Sequence, residues 1–253
     1  MIQPKKQMYT IKGQGDGFGS QYQSVMSGIA FSELNNYVYV HTPFATMEHN
    51  VDVDKLNTFI GINNNHLPAD DLLSPDIIIQ SYADNVHWSD NPSIYYTDNV
   101  KQKIRGFYNS TPKPVIEDID IAIHIRRGDV NTCVANGCSD FAKRFTDNAK
   151  YITLIQALKI HFPTKKIHIF SEGNLEDFKE FGLSEENFKL NLDVIETFHS
   201  LVCAKILVIA NSSFSYSSAI LNDNIVYYMD DFLRFWHKPL NNWLNAESFI
   251  KCK

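Results

Sequence analysis

The chain has 253 residues, of which 44% are hydrophobic and 13% aromatic, enough to bury a sizeable core and to exclude a disordered chain. Its net charge of -6 argues against a general binder of nucleic acid or of acidic membrane surfaces, so a local cluster of cations stands out. No apolar run approaches the ~18 residues of a spanning helix.

The apolar period switches repeatedly along the chain. Met8 to Gly13 reads as a strand, and Ser20 to Asn35 places Tyr22, Val25, Met26 and Ile29 on one helical face. "YVYVHT" and "DIIIQ" (Asp76 to Gln80) are further strands. A helix around Asn99 to Tyr108 ends at "NSTPKP", where two prolines forbid its continuation.

Beyond that break come a strand at "DIAIHIRR", a helix from Phe141 to Phe162, and a strand at "KIHIFSE". They are followed by a short helix closed by Gly182, a helix at "ETFHSLVCA", a strand at "KILVIAN", a helix beginning in "SYSSAILN" and a strand at "NIVYYM". Strands alternating with helices imply parallel sheets. The expected architecture is α/β with two Rossmann-like halves, 1–114 and 115–253, the C-terminal segment packing back on the second.

Parallel sheets bind ligands at the carboxyl ends of their strands. "IAIHIRRGDV" puts His124, Arg126 and Arg127 at such an end, and the guanidinium fork matches phosphate oxygens. Gly128 permits a sharp turn, and Asp129 is expected to pin Arg127. The alternative is that both arginines simply pair with carboxylates. The embedded Arg-Gly-Asp is not read as an adhesion motif, because it directly follows an apolar strand.

"GQGDGFGSQ" (Gly13 to Gln21) is a glycine-rich strand-to-helix loop that meets neither the dinucleotide fingerprint nor the lysine-bearing phosphate loop. Asp16, at its tip with no obvious partner, is a possible acid or base. In "ANSSFSYSSAIL", Ser212, Ser213 and Ser215 cluster where a helix begins, either as an anion site or as an ordinary cap. Ser171 and Glu172 close another strand, and Glu196 and His199 lie in the helix after it. Such carboxylates can accept hydrogen bonds from a ribose or a base edge. His66, His87, His161 and His237 receive no role.

The four cysteines form no metal-ligand pattern, and Cys133 and Cys138 are expected as thiols rather than a loop disulfide. Asn109 and Asn211 begin glycosylation sequons. A glycan at Asn211 would fall inside an apolar motif, which argues against secretory passage. With no signal-peptide core at its N-terminus, the chain is expected in the cytoplasm.

In order, these blocks resemble the alpha-1,2-fucosyltransferase family. "HIRRGD" resembles its H-x-R-R-x-D signature, and "IHIFSE" its strand ending in Phe-Ser-Asp. "FHSLVCAKILVIANSSFSYSSAILN" resembles its Ala-Asn-Ser-Ser-Phe-Ser-Trp segment, and "GFGSQYQ" its Gly-x-Gly-Asn-Gln loop. The resemblance implies a GT-B-type fold, a GDP-fucose donor, a glycan acceptor and inversion at the sugar carbon with no metal or other cofactor.

By position it implies Arg126 on the donor's beta-phosphate and His124 against the nucleotide. Ser212, Ser213 and Phe214 would line the pyrophosphate and fucose pocket, and Gly17, Gly19, Ser20 and Gln21 the opposite lip. Arg127, Ser171, Glu172 and Glu196 complete the expected donor site. Of three candidate bases, Asp16, Asp129 and Glu172, Asp16 is the expected one. The first half would be the acceptor side and the second the donor side. Ser20, Tyr216 and Glu172 replace the family's Asn, Trp and Asp. A transferase for another GDP- or UDP-sugar, and a binding protein without turnover, are the competing expectations.

Overall fold

The computed structural model describes residues 6–13, 15–62, 77–80, 86, 89–137, 143–229 and 238–250. Cys138, Cys252, His66, His87 and His237 lie outside them. The chain divides into two compact units, Met1–Lys113 and Pro114–Lys253.

Among the described residues of the first unit, three parallel strands are ordered β2-β1-β3: β1 Met8–Ile11, β2 Val38–Tyr39 and β3 Ile77–Gln80. The second strand is shorter than "YVYVHT" suggests. Helix α1 (Phe18–Leu34) packs on this sheet so closely that a Cβ on Gly28 would meet Ile11 Cγ1 at 2.6 Å and the Tyr39 ring at 2.9 Å. Helices α2 (Val53–Ile60) and α3 (Asp98–Asn109) start at Asp52 and Thr97, whose side chains accept backbone N–H bonds as caps.

The second unit carries six parallel strands among its described residues: β4 Ile121–Ile125, β5 Ile167–Ser171, β6 Phe188–Leu190, β7 Ile206–Ile209, β8 Ile225–Tyr228 and β9 Leu244–Asn245. Their order is β6-β5-β4-β7-β8-β9. Counted within the unit this is 3-2-1-4-5-6, the doubly wound arrangement whose direction of winding reverses between β4 and β7. All five β4 residues are buried, as an interior parallel strand requires. β6 and β9 are too short to announce themselves in the sequence.

The helices of this unit are α4 Asp129–Ala135, α5 Asn148–His161, α6 Val194–Cys203, α7 Ser213–Leu221 and α8 Glu247–Ile250. Ile121, Ile123 and Ile125 of β4 form one core with Tyr151, Leu154, Ile155 and Leu158 of α5 and with Ala246. Each such isoleucine contributes roughly 1.5–3 kcal/mol by leaving water. Ala122 and His124 alternate to the other face, where the His124 ring meets Phe214 of α7 and Phe214 meets Phe198 of α6.

The helix expected over Phe141–Phe162 starts only at Asn148, because the Asp147 side chain accepts the Ala149 N–H and ends the preceding loop. The short helix before Gly182 is a 3-10 helix over Leu175–Phe181.

Candidate functional site

The winding reversal between β4 and β7 puts two sequence blocks side by side at the carboxyl edge of the larger sheet. From β4 come His124 and the loop Arg126-Arg127-Gly128. From β7 come Asn211 and Ser212, leading into α7.

His124 is 7% exposed, and its Nδ1 is buried with no hydrogen-bond partner among the described residues. Burial, reinforced by the charge of Arg126, pushes its pKa down to about 3, so the ring is neutral near pH 7. Phe214 faces it with ring centroids 5.6 Å apart.

The two arginines have opposite fates. Arg127 is 3% exposed. It donates to Arg126 O (2.9 Å), Thr146 O (3.0 Å) and Asn148 Oδ1 (2.6 Å), and its guanidinium carbon lies 4.4 Å from the Phe145 ring centre. Its fork is consumed within the protein, so Arg127 holds the loop that carries Arg126 and α4.

Arg126 is partly exposed, with Nη2 2.6 Å from Asp129 Oδ1 and Nη1 3.4 Å from Glu172 Oε2. Asp129 therefore pairs with Arg126, not with Arg127 as the sequence suggested. Three residues on, at the start of α4, it falls beneath the Arg126 side chain, while Arg127 turns inward. Gly128 makes this possible with φ 67° and ψ -116°, a conformation suited to glycine alone.

Ser171 ties the neighbouring strand ends together, its hydroxyl donating to Ile125 O at 2.9 Å. Glu172 follows it, and the backbone of Gly173 is then clamped from both sides by the Asn191 amide at 2.8 and 3.0 Å. The base of Glu172 is thus held, while its carboxylate reaches Arg126.

Ser212 caps α7 by accepting the Phe214 N–H at 3.2 Å. Ser215 is wholly buried and donates to Ala210 O and Ser212 O, so its hydroxyl is no anion donor. Ser213 opens the helix, half-buried. Glu196 lies exposed in the first turn of α6, where an acidic residue suits the helix dipole.

In the sequence Asn211 shows only as the start of a sequon. It is 3% exposed; its Nδ2 donates to Lys143 O at 3.1 Å, and its Oδ1 is buried without a partner among the described residues. Its place, directly before the Ser212 cap at a strand end, was the available signal.

The glycine-rich loop belongs to the first unit. Gly17 is the uncapped start of α1; Gly19 and Gln21 are buried, and Ser20 half-buried. Gln21 Nε2 donates to Asp16 O and Thr46 O, each at 2.8 Å, so this side chain braces the loop. Asp16 is not without partners: its Oδ1 accepts the Gly17 N–H at 2.7 Å, because the uncapped helix start presents that donor.

Among the described residues no group of three or more His, Cys, Asp or Glu could hold a metal ion, and no helix is long and apolar enough to cross a membrane.

No family model and no curated protein matches the chain. The solved structures similar to it include two glycosyltransferases. One is the iron-containing dodecameric glycosyltransferase TibC from enterotoxigenic E. coli H10407, at 11% identity and a TM-score of 0.41 over 90% of this chain. The other is Thermosulfurimonas dismutans KpsC, a beta Kdo 2,7 transferase, at 12% identity and a TM-score of 0.31 over 97% of this chain and 89% of that one. The present chain spans 61% of the length of TibC.

Proposed function

We propose that this protein is a glycosyltransferase of GT-B type that moves fucose from GDP-fucose to a glycan hydroxyl, through an alpha-1,2 linkage, with inversion and without a metal. The observation that carries the reading is the content of the winding reversal. There Arg126, the start of α7 and two buried polar atoms with no partner among the described residues, His124 Nδ1 and Asn211 Oδ1, gather at one sheet edge. Buried polar atoms are nearly always satisfied, so a polar ligand at this edge is their natural complement.

In this reading Arg126 and the α7 N-terminus meet the pyrophosphate, whose departing beta-phosphate gains negative charge as the glycosidic bond breaks. Donors already aimed at such charge lower the barrier, each by about 2.7–4 kcal/mol in comparable oxyanion sites. His124, Phe214, Ser212 and Ser213 then belong to the donor pocket, with Ser171, Glu172 and Glu196 at its edge and Arg127 as its support. Asp16 is the base, and Gly17, Gly19, Ser20 and Gln21 are residues of the acceptor side.

Calorimetric titration with GDP, GDP-fucose, GDP-mannose and UDP-galactose, all in EDTA, tests it. GDP and GDP-fucose should bind, and Arg126→Ala should lose that binding while remaining folded. Absence of guanine-nucleotide binding would sink the reading.

A second reading, a binding protein without turnover, draws on one observation: Arg126 already carries two carboxylates. Donor binding with no transfer across a broad acceptor panel would favour it.

A further inference from the structure

Arg126 carries two carboxylates, and they are held differently. Asp129 lies three residues away in sequence, and both its oxygens approach Nη2, at 2.6 and 2.7 Å. Glu172 comes from the next strand, touches only Nη1, and does so at 3.4 Å with a side chain 52% exposed. The Glu172 carboxylate also rests against Gly128, where a Cβ would overlap it. The missing side chain at Gly128 therefore leaves the place that the carboxylate occupies.

We infer that Glu172 is a displaceable counter-ion of Arg126, seated on Gly128, which an incoming pyrophosphate must push off the Nη1 side. This rests on the reading of Arg126 as the donor-phosphate contact. Asp129 keeps the guanidinium aimed throughout, because it binds the other nitrogen. Glu172 is then a positioning residue that acts through Arg126. Between ligands it occupies the Nη1 side of Arg126, and an anion gains only the difference between its own contact and the one Glu172 gives up. A half-exposed ion pair is weak enough to be exchanged in this way.

The test is calorimetry on the full chain with two probes, GDP and inorganic pyrophosphate. Glu172→Gln keeps the side chain's shape and removes its charge, and should tighten both probes about three- to five-fold, the upper range for an exposed pair. Glu180→Gln, at an exposed carboxylate in the 3-10 helix that follows Glu172, makes the same change in total charge and should leave both affinities alone. In an Arg126→Gln background the gain from Glu172→Gln should vanish.

Unchanged or weaker binding in Glu172→Gln overturns the counter-ion, as does an equal gain in Glu180→Gln or a gain that persists without Arg126. If wild-type chain binds GDP through Arg126 and Glu172→Gln adds nothing, the counter-ion falls and the donor reading stands. If pyrophosphate tightens but GDP binds neither chain, the donor reading falls and the counter-ion stands. If neither probe binds either chain, both fall.

Discussion

His124 on strand β4 and Phe214 on helix α7 lie with ring centroids 5.6 Å apart and planes at 43°, although 90 positions separate them in the chain. The contact brings the first strand of the second unit against the helix that follows its fourth. It also seals one side of a histidine whose Nδ1 has no partner among the described residues.

That seal makes stability depend on acid. The folded pKa of His124 is depressed to about 3 against an ordinary 6.5, so between these values the unfolded chain binds the proton and the folded chain does not. Stability is full above about pH 6.5 and is lost as pH falls toward 3, with a slope of up to about 1.4 kcal/mol per pH unit for this group. His168, also buried and depressed, adds in the same direction. Urea unfolding from pH 7 to pH 4.5 should show the decline, and His124→Asn should remove close to one proton of uptake on unfolding at pH 5.

Arg127→Ala should damage folding more than any ligand contact. It strips donors from Arg126 O, Thr146 O and Asn148 Oδ1 and removes the group stacked on Phe145, for an expected loss of about 3 kcal/mol. Arg126→Ala, at a partly exposed pair, should cost under about 1 kcal/mol. Denaturation midpoints of the two variants, side by side, would check the order.

Gly128→Ala should be costly for its size. The backbone there sits at φ 67° and ψ -116°, and the new methyl would collide with the Glu172 carboxylate. Roughly 1–3 kcal/mol of strain is expected. Thermal unfolding at fixed pH reads it directly, and an unchanged midpoint would mean that the loop has another conformation available.

Asp16→Asn separates the base from the brace. The amide oxygen can still accept the Gly17 N–H, so the fold and nucleotide affinity should hold. The transfer rate should drop by at least about 10² if the carboxylate takes the acceptor's proton. Full transfer by this variant would remove Asp16 from that role.

Most elements could be read in the sequence because their apolar period was long enough to count. β4, with five successive buried residues, is an example. α1 is buried nearly all round, but Tyr22, Val25, Met26 and Ile29 still mark a helical period. β6 and β9 were not visible, since three- and two-residue strands carry no period. The start of α5 lies later than the sequence suggests, because Phe141 and Phe145 extend the apolar pattern backwards. Phe145 in fact stacks on Arg127, ahead of the Asp147 cap.

At the candidate site, residue types were legible and pairings were not. Nothing in "RRGD" says which arginine turns inward. That depends on Thr146 and Asn148, some twenty positions later, and on Asp129 falling beneath Arg126.

The strand order has a consequence for biosynthesis. β4 is flanked by β5 and β7, both of which follow it in the chain, β7 by about eighty positions. As the polypeptide leaves the ribosome, β4 therefore emerges with neither edge partner yet made. Its apolar run waits through the synthesis of β5, β6 and α6 before its second edge can close, and such non-local pairing is slow. Arg126 and the start of α7 come to share one sheet edge only after that closure. This sheet edge is thus assembled only after β7 is made, and nascent chains halted before Ile209 should carry "HIRRGD" without the candidate site.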